Sequence, residues 1–233
     1  MVGIICAMSI EVDGLKKLMR DTEEFKYANM VFTKGYLDNC EVVAVECGIG
    51  KVNAAMCAQI MIDRFSPDII INSGVAGATH EEVNICDMVI ATEVLEHDMN
   101  TSAIGDPIGL ISLPEGNRTF FACDGDIVNN LYQICKDVEG AKTFKGRIAS
   151  GDLFVSRRSK RRLLNIRFDA IACEMEGGAV GHVCYRNKVP FCVFRVISDD
   201  FTKNQGMDFM AFSRIAAERS IKVIREYLST LQY

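Results

Sequence analysis

The sequence predicts an α/β fold, a three-layer sandwich in which helices flank a mixed, mostly parallel central sheet. Short apolar runs typical of buried strands alternate along the chain with segments of helical periodicity. No linker, internal repeat or low-complexity tract interrupts this order. Because 233 residues suffice to bury one substantial core, we expect a single domain over residues 1–233.

The first predicted elements are a buried strand, a helix start and a hairpin. Residues 2–8 form a continuous apolar run, as expected of a strand covered on both faces, and Ser9-Ile10-Glu11 follows as a helix start. Half-alternating runs at residues 30–35 and 41–46 flank Leu37-Asp38-Asn39 and predict a hairpin. Glu11 is therefore expected just beyond the carboxyl end of a strand.

A glycine turn and a second helix follow the hairpin. Cys47-Gly48-Ile49-Gly50 opens a helical segment in which four apolar side chains share one face, those of Val52, Ala55, Met56 and Ile60. The turn lacks the third glycine of a dinucleotide fingerprint and the Lys-Ser/Thr pair of a P-loop. Its glycines are therefore interpreted as allowing close packing of helix on sheet.

The rest of the chain repeats the alternation of strand and helix. Five further strands are predicted, at residues 69–72, 87–92, 145–150, 170–173 and 191–197. Residues 73–77 are predicted to be a small-residue turn where backbone can approach a ligand closely. Asp124 is expected to cap a helix that continues to Lys136. A final helix over residues 208–228 puts five side chains on a common side, those of Phe212, Ile215, Ala216, Val223 and Tyr227.

The charge distribution argues against two classes of partner. A net charge of -5 gives no general attraction to nucleic acid or to an anionic membrane. The one basic run, residues 157–162, is interpreted as a solvated turn and helix start rather than a phosphate-binding surface. No apolar stretch reaches the roughly 20 residues that a membrane-spanning helix needs. We therefore expect neither nucleic acid nor membrane as a partner.

Cysteine and histidine usage indicates a reduced compartment and no metal centre. The ten cysteines are scattered through apolar runs without a C-x-x-C pair, as expected of reduced core residues. The apolar run at residues 2–8 has no basic flank and no cleavage site, so we expect a cytoplasmic protein. The three histidines lie far apart, without cysteine or carboxylate neighbours at metal-ligand spacing.

Polar side chains follow most of the predicted strands. Ligands of open α/β sheets bind beyond the carboxyl ends of the strands. The residues expected there are Glu11, Ser73, Asp152, Glu174, Glu176, Ser198 and Asp199. Several carboxylates without a metal cluster indicate acid and base chemistry on a small molecule.

Hydrolysis of a glycosidic bond is one reaction that needs two such groups. One carboxyl protonates the leaving atom and the other activates water on the opposite face of the sugar. Asp199 and Glu11 are the candidates, although each could instead cap the helix that follows its strand. Glu174-Met175-Glu176 precedes a helix that starts with small residues. Carboxylates at this helix start suit the binding of sugar hydroxyls better than that of phosphate. The alternative is that they form an ordinary acidic first turn.

Six motifs follow one another in the order AMSIE, GIGKV, NSGVAG, SGDLFV, EME and RVISD, at residues 7–11, 48–52, 72–77, 150–155, 174–176 and 195–199. In order and spacing they resemble the bacterial 5'-methylthioadenosine/S-adenosylhomocysteine nucleosidases, which belong to the purine nucleoside phosphorylase superfamily. The likeness covers nearly the whole chain. It implies hydrolysis of the N-glycosidic bond of these 5'-thioadenosines, as in methionine salvage, without a cofactor.

The resemblance implies a role for each residue of the reaction centre. Glu11 would be the base that activates water, and Asp199 the acid that donates a proton to adenine N7. Ser198 would support Asp199. Arg195 and Glu174 would order the water and the carboxylates.

The resemblance also implies the residues that bind the substrate. Glu176 would hold the ribose hydroxyls, with Met175 packed against the sugar. Phe154 would stack on the purine, while the backbone of Val155 would read its Watson–Crick edge. The pocket for the 5' substituent would be lined by Ile49 and Phe209.

Two positions depart from the family pattern. Val75 stands where some relatives carry a hydroxyl near the water, so that role would pass to backbone or to Arg195. Residues 97–109 resemble the segment that reaches into the neighbouring subunit's pocket in the family's homodimer. Family members often have aromatic residues in this segment, but this chain has Ile104 and Asp106, which predicts a 5' pocket of different shape and polarity.

Three alternative functions stay open from the sequence. A phosphorylase of the same superfamily would use phosphate in place of water, although residues 73–77 offer no arginine to bind it. A hydrolase of a related adenosine derivative, such as 6-amino-6-deoxyfutalosine, would keep the water and change the substrate. A binding or storage protein would have no need of an aligned acid, base and ribose ligand.

Overall fold

Strands and helices alternate along the chain in the computed structural model, which describes residues 1–136, 138–200 and 209–231 and, in the last range, side chains from residue 212 onward. The strands are β1 (Val2–Cys6), β2 (Arg20–Tyr27), β3 (Met30–Leu37), β4 (Cys40–Glu46), β5 (Ile69–Ala78), β6 (Met88–Glu96), β7 (Phe121–Ala122), β8 (Thr143–Ser150), β9 (Ala170–Glu174) and β10 (Phe191–Asp199). The helices are α1 (Ser9–Leu18), α2 (Lys51–Phe65), α3 (Gly125–Cys135), α4 (Arg158–Phe168), α5 (Gly177–Asn187) and α6 (Phe209–Thr230). The predicted α/β class is confirmed.

All the strands join one mixed sheet. Its order is β10-β6-β8-β9-β5-β1-β4-β3-β2, and β7 pairs with β6. β10 also pairs with β5, so that β5, β10, β6, β8 and β9 form a closed ring. β1 lies outside the ring, between β5 and β4.

The prediction of a mostly parallel sheet is wrong in its proportions. Parallel pairs join β1 to β4 and β5, β5 to β10, and β8 to β6 and β9. Equally many antiparallel pairs occur in the described residues, joining β3 to β2 and β4, β6 to β7 and β10, and β5 to β9. The antiparallel share is high because β2, β3 and β4 form a meander and β6 runs against β10.

Helices pack on both faces of β1. Ile5 belongs to an apolar cluster that includes residues of α2 and α5, whereas Ile4 and Cys6 belong to a second cluster with residues of α1, α3 and α6. Alternate residues of a strand point to opposite faces, so each side of β1 is covered. The ten cysteines are free, and eight are buried, as expected of reduced core residues.

Two strands differ from the sequence prediction. β2 was not predicted, because it is a mostly exposed and charged edge strand without an apolar alternation. β5 continues through residues 73–77, which were predicted to form a turn. Small residues can continue a strand where a neighbour pairs with them, and β10 pairs with β5 as far as Gly77.

Helix α2 is confirmed, but its buried face is not the one the sequence indicated. The side chains that pack on the sheet belong to Ala54, Cys57, Ala58 and Met61. The predicted apolar face is partly open, since Val52 is 76% exposed. Helix α2 thus carries apolar side chains on two faces.

The predicted cap of the third helix is confirmed. The side chain of Asp124 accepts hydrogen bonds from the backbone N–H groups of Asp126 and Ile127, each at 3.0 Å. In the described ranges, no helix is both long enough and apolar enough to cross a membrane.

Candidate active site

A cavity of about 240 Å³ lies where β1, β5, β9 and β10 reach their carboxyl ends. Ten of the predicted site residues line it, namely Glu11, Ile49, Val75, Phe154, Val155, Glu174, Met175, Glu176, Ser198 and Asp199. Arg195 lies behind this lining, bonded to Glu174. Phe209 begins α6, but its side chain is outside the described residues. The two candidate catalytic carboxyls therefore share one cavity.

Glu11 is held rigidly by backbone groups. Its Oε2 accepts hydrogen bonds from the N–H groups of Ala7 and Met8, and its Oε1 accepts one from Val75, all at 3.0 Å. A Cβ atom at Gly74 would lie 2.7 Å from Oε1, so this close approach of strand β5 needs a glycine. The small-residue segment thus approaches a carboxylate of the protein itself.

Burial raises the pKa of the Glu11 carboxyl. The charge of Arg195 and the N–H groups of Met8, Val75 and Ala7 act in the opposite direction. A carboxylate of raised pKa that is fixed at a cavity is suited to accepting a proton.

Glu174 and Arg195 form a buried pair beneath the cavity. Arg195 also donates to Asn72, at 2.9 Å to the carbonyl oxygen. Glu174 Oε2 accepts from the N–H groups of Glu176 and Gly177, at 3.0 and 2.8 Å, and its Oε1 accepts from Ser150 Oγ. Both charged side chains are thus engaged by protein, which fixes the start of α5 and the position of Glu176.

Glu176 faces the cavity from the N-terminus of α5. Its Oε1 accepts a hydrogen bond from the N–H group of Gly50 at 2.8 Å. Burial raises the pKa of Glu176 to about 7, and the neighbouring Glu174 charge adds to this shift, against the opposing effects of Arg195 and the Gly50 amide. Ionisation of Glu176 is therefore costly in the folded protein.

This cost predicts a stabilising substitution. An acid whose pKa is raised by folding, here from 4.5 to about 7, stabilises the protein below the lower value and loses that contribution as the pH rises through the higher one. Glu176→Gln cannot ionise and keeps an oxygen for the Gly50 amide. We expect the free energy of unfolding of the variant, relative to that of wild type, to rise by up to about 3 kcal/mol from pH 5 to pH 8.

Denaturant unfolding at the two pH values measures this gain. Glu23→Gln, on the exposed strand β2, is the matched control and should give the same difference from wild type at both. If the difference in unfolding free energy between Glu176→Gln and wild type did not change with pH, ionisation of Glu176 would not be costly in the folded protein.

Asp199 ends β10 on another side of the cavity. Its Oδ1 accepts from Ser198 Oγ at 3.3 Å, and its Oδ2 forms an ion pair with the guanidinium of Arg161. Arg161 was interpreted as part of a solvated basic run, and this is wrong because its side chain is only 1% exposed. The i, i+3, i+7 spacing with the buried Leu164 and Phe168 is the signal that could have placed it on the inner face of α4.

Two polar residues predicted at the sheet edge turn away from the cavity. Ser73 Oγ bonds to Ser220 Oγ of α6 at 2.6 Å. Asp152 Oδ1 accepts from the N–H group of Lys51 at 2.8 Å, which ties this loop to the start of α2. In the described residues, no group of three or more histidine, cysteine, aspartate or glutamate residues could hold a metal ion.

The cavity can therefore combine a base and an acid with a third carboxylate. Glu11 and Asp199 come from α1 and β10, and Glu176 comes from the turn into α5. Arg161 and Arg195, the arginines that line or underlie it, each already face a carboxylate. The arrangement favours acid and base chemistry on a small neutral molecule over anion binding.

Comparisons with known proteins give one consistent family. The phosphorylase superfamily matches residues 1–229 of the chain. The 5'-methylthioadenosine/S-adenosylhomocysteine nucleosidases of Staphylococcus carnosus strain TM300 and Bacillus cytotoxicus are 40% and 36% identical over 233 residues. The alignments cover 99% of this chain, with 100% and 99% of the two relatives.

Solved structures give the same fold. The nucleosidase of this type from Colwellia psychrerythraea 34H, in complex with adenine, is 34% identical, with a TM-score of 0.91 over 99% of this chain and 95% of that one. A futalosine hydrolase of Helicobacter pylori strain 26695 is 32% identical, with a TM-score of 0.91 over 99% and 97% of the two chains. Both likenesses extend over nearly the whole chain.

Proposed function

The chain belongs to the phosphorylase superfamily, and from this premise we propose that it hydrolyses 5'-methylthioadenosine and S-adenosylhomocysteine to adenine and the 5-thio-substituted ribose. The relatives named for this activity match almost end to end. The observation that carries the proposal is the cavity shared by Glu11 and Asp199. The enzyme is thus an N-glycosidase that supplies both proton transfers itself and needs no cofactor.

Glu11 is the base in this proposal. It takes a proton from water as the water oxygen bonds to the anomeric carbon, while the bond from that carbon to adenine N9 breaks. The three backbone N–H groups on its carboxylate fix the direction of attack. Val75 contributes through its N–H group, which supports the expectation that backbone replaces the hydroxyl of some relatives.

Asp199 is the acid. It donates a proton to adenine N7, so that adenine leaves as a neutral molecule and not as an anion. Ser198 Oγ supports the Asp199 carboxyl at 3.3 Å. Solvent then returns a proton to Asp199 and takes one from Glu11, which closes the proton balance.

The other lining residues bind the substrate. Glu176 accepts the ribose hydroxyls, with Met175 against the sugar, and Glu174 and Arg195 hold Glu176 in position through its backbone. Phe154 stacks on the purine and Val155 reads its Watson–Crick edge. The 5' substituent lies against Ile49 and Phe209.

Hydrolysis and phosphorolysis are separated by one assay. Purified protein is incubated with 5'-methylthioadenosine in buffer with and without phosphate, and adenine and the sugar product are quantified. We expect adenine and free methylthioribose in phosphate-free buffer, since both arginines at the cavity are paired with carboxylates. Dependence of adenine release on phosphate would reject the nucleosidase in favour of the phosphorylase.

A related substrate is the second candidate. The similarity to the futalosine hydrolase favours testing 6-amino-6-deoxyfutalosine beside the two thioadenosines, because these substrates differ only at the 5' side. Ile104 and Asp106 lie in the segment proposed to shape that side. The ratio of kcat/KM across the series decides which substrate is preferred.

A homodimer completes the proposal, with residues 97–109 reaching the partner's pocket. Apolar side chains are exposed on Ile49, which lines the cavity, and on Val52 and Met56 of the helix that follows, and Ile104 is 82% exposed. Such a patch is typical of an interface.

The patch gives a prediction for assembly. We expect Val52→Asp to lower both the dimer fraction in analytical ultracentrifugation and the activity. Ile166→Asp on α4, where the isoleucine is 73% exposed, is the matched control and should stay dimeric and active. Dimerisation of Val52→Asp at wild-type strength would reject this face.

The remaining expectations concern the whole chain. We propose one nucleosidase domain over residues 1–233, in which the sheet is the middle of three layers, and this is supported by apolar clusters on both faces of β1. We also propose a cytoplasmic enzyme whose partners are the nucleoside and a second subunit, and not nucleic acid or membrane.

A further inference from the structure

Arg161 is a buried arginine beside Asp199, at the end of the cavity proposed to bind the purine. Its neighbours in the basic run, Arg158, Lys160 and Arg162 among them, are exposed. Burying a guanidinium is unfavourable unless its donors are satisfied. Its position therefore depends on the groups that accept its hydrogen bonds.

In the described residues, Arg161 donates to Val155, Ala78 and Asp199, and two of these, Val155 and Asp199, line the cavity. Nε donates to the carbonyl oxygen of Val155 at 2.9 Å, and Nη1 donates to those of Ala78 and Asp199 at 3.4 and 3.3 Å. Nη2 pairs with the Asp199 carboxylate. One planar group thus joins Asp199 to the backbone of Val155, the residue proposed to read the purine.

We propose that Arg161 is a positioning residue for the leaving-group acid: its guanidinium fixes Asp199 relative to Val155 and stabilises the carboxylate that Asp199 becomes when its proton passes to the purine. This inference rests on the proposed function. It adds a residue that touches neither sugar nor water in that scheme and acts through Asp199.

The physical basis is the charge that appears on Asp199 during the reaction. As N7 gains the proton, the carboxyl becomes an anion in a buried setting, where a cation already in place stabilises it without reorganisation. Ser198 Oγ, at 3.3 Å, is a weaker partner. Arg161 should therefore accelerate the reaction only when the leaving group has to be protonated by Asp199.

This dependence gives a test with two leaving groups. The variants are Arg161→Met, Arg161→Lys and the control Arg162→Met, whose arginine is exposed and pairs with Glu81. The substrates are 5'-methylthioadenosine and a para-nitrophenyl riboside with the same methylthio group, whose leaving group departs as a stable anion without protonation.

We expect Arg161→Met to lose about tenfold or more of kcat with the adenine substrate and less than about twofold with the nitrophenyl substrate. Arg161→Lys should recover part of the loss, because it keeps the charge but not the contact with Val155. Arg162→Met should match wild type with both. Equal losses on the two substrates, or no loss with adenine, would overturn the proposal.

A double-mutant cycle separates this inference from the function on which it rests. Because Arg161 acts through Asp199, adding Arg161→Met to Asp199→Asn should cause little further loss with the adenine substrate. A decrease in kcat by the same factor in wild type and in Asp199→Asn would reject the positioning role. If wild type releases no adenine, or Asp199→Asn keeps full turnover, the proposed function itself has failed.

Discussion

Asp199→Asn is expected to remove most of kcat while substrate binding stays nearly intact. An amide cannot donate the proton that adenine N7 needs, and general acid catalysis of this kind contributes about 10²- to 10⁴-fold. The asparagine has nearly the same volume and can turn its oxygen toward Arg161 and its NH₂ group toward Ser198 Oγ, so the cavity should retain its shape. Steady-state kinetics with 5'-methylthioadenosine, together with equilibrium binding of the same substrate, measure the two parts separately.

The next residue provides a control for this substitution. Asp200 does not line the cavity, and its Oδ2 accepts from the N–H group of Ile85 at 3.3 Å, a bond that an asparagine oxygen can keep. Asp200→Asn should therefore retain turnover. Near-wild-type kcat in Asp199→Asn would show that the proton reaches adenine by another path and would reject Asp199 as the acid.

Glu11→Gln is expected to abolish hydrolysis, with a loss of about 10²- to 10⁴-fold, while the fold is preserved. A glutamine has one acceptor oxygen where the glutamate has two, so its NH₂ group must face either the Val75 amide or those of Ala7 and Met8. Losing such a bond costs about 1–3 kcal/mol, which a folded domain can tolerate. The expected result is thus an inactive, slightly less stable protein.

Two measurements on Glu11→Gln decide between a catalytic and a structural role. Thermal unfolding should shift by only a few degrees, and adenine, which contacts the opposite end of the cavity in our scheme, should bind as in wild type. A collapse of thermal stability would make Glu11 a structural residue. Retained hydrolysis would reject it as the base.

The buried strands could be predicted from sequence because burial on both faces leaves a continuous apolar run. β1 and β10 show this most clearly. The exposed edge strand β2 leaves no such run, and its existence depends on pairing with β3, a tertiary contact that no local pattern reports. The length of β5 has the same origin, since β10 decides that residues 73–77 continue as strand.

The candidate site was largely predictable because its residues follow strand ends. Glu11 and Asp199 could be placed at one edge of the sheet by position alone, although their roles came from the resemblance to a family. Arg161 was missed because the basic run was interpreted as solvated, although its i, i+3, i+7 spacing with Leu164 and Phe168 indicates the inner face of α4. The buried face of α2 was also predicted wrongly, because this helix has apolar side chains on two faces and its sequence does not show which of them packs on the sheet.

The closed circuit β5-β10-β6-β8-β9 limits how the catalytic centre can move. Asp199, Glu174 and Val75 belong to three of its members, and each strand of the circuit is hydrogen-bonded along both edges. A sliding displacement of any one of them breaks ladders on two sides at once. Glu11 on α1 and Arg161 on α4 come from outside the circuit, yet both bond to its strands, Glu11 at Val75 and Arg161 at Ala78 and Asp199. We therefore expect the distances among the catalytic groups to stay nearly constant through turnover.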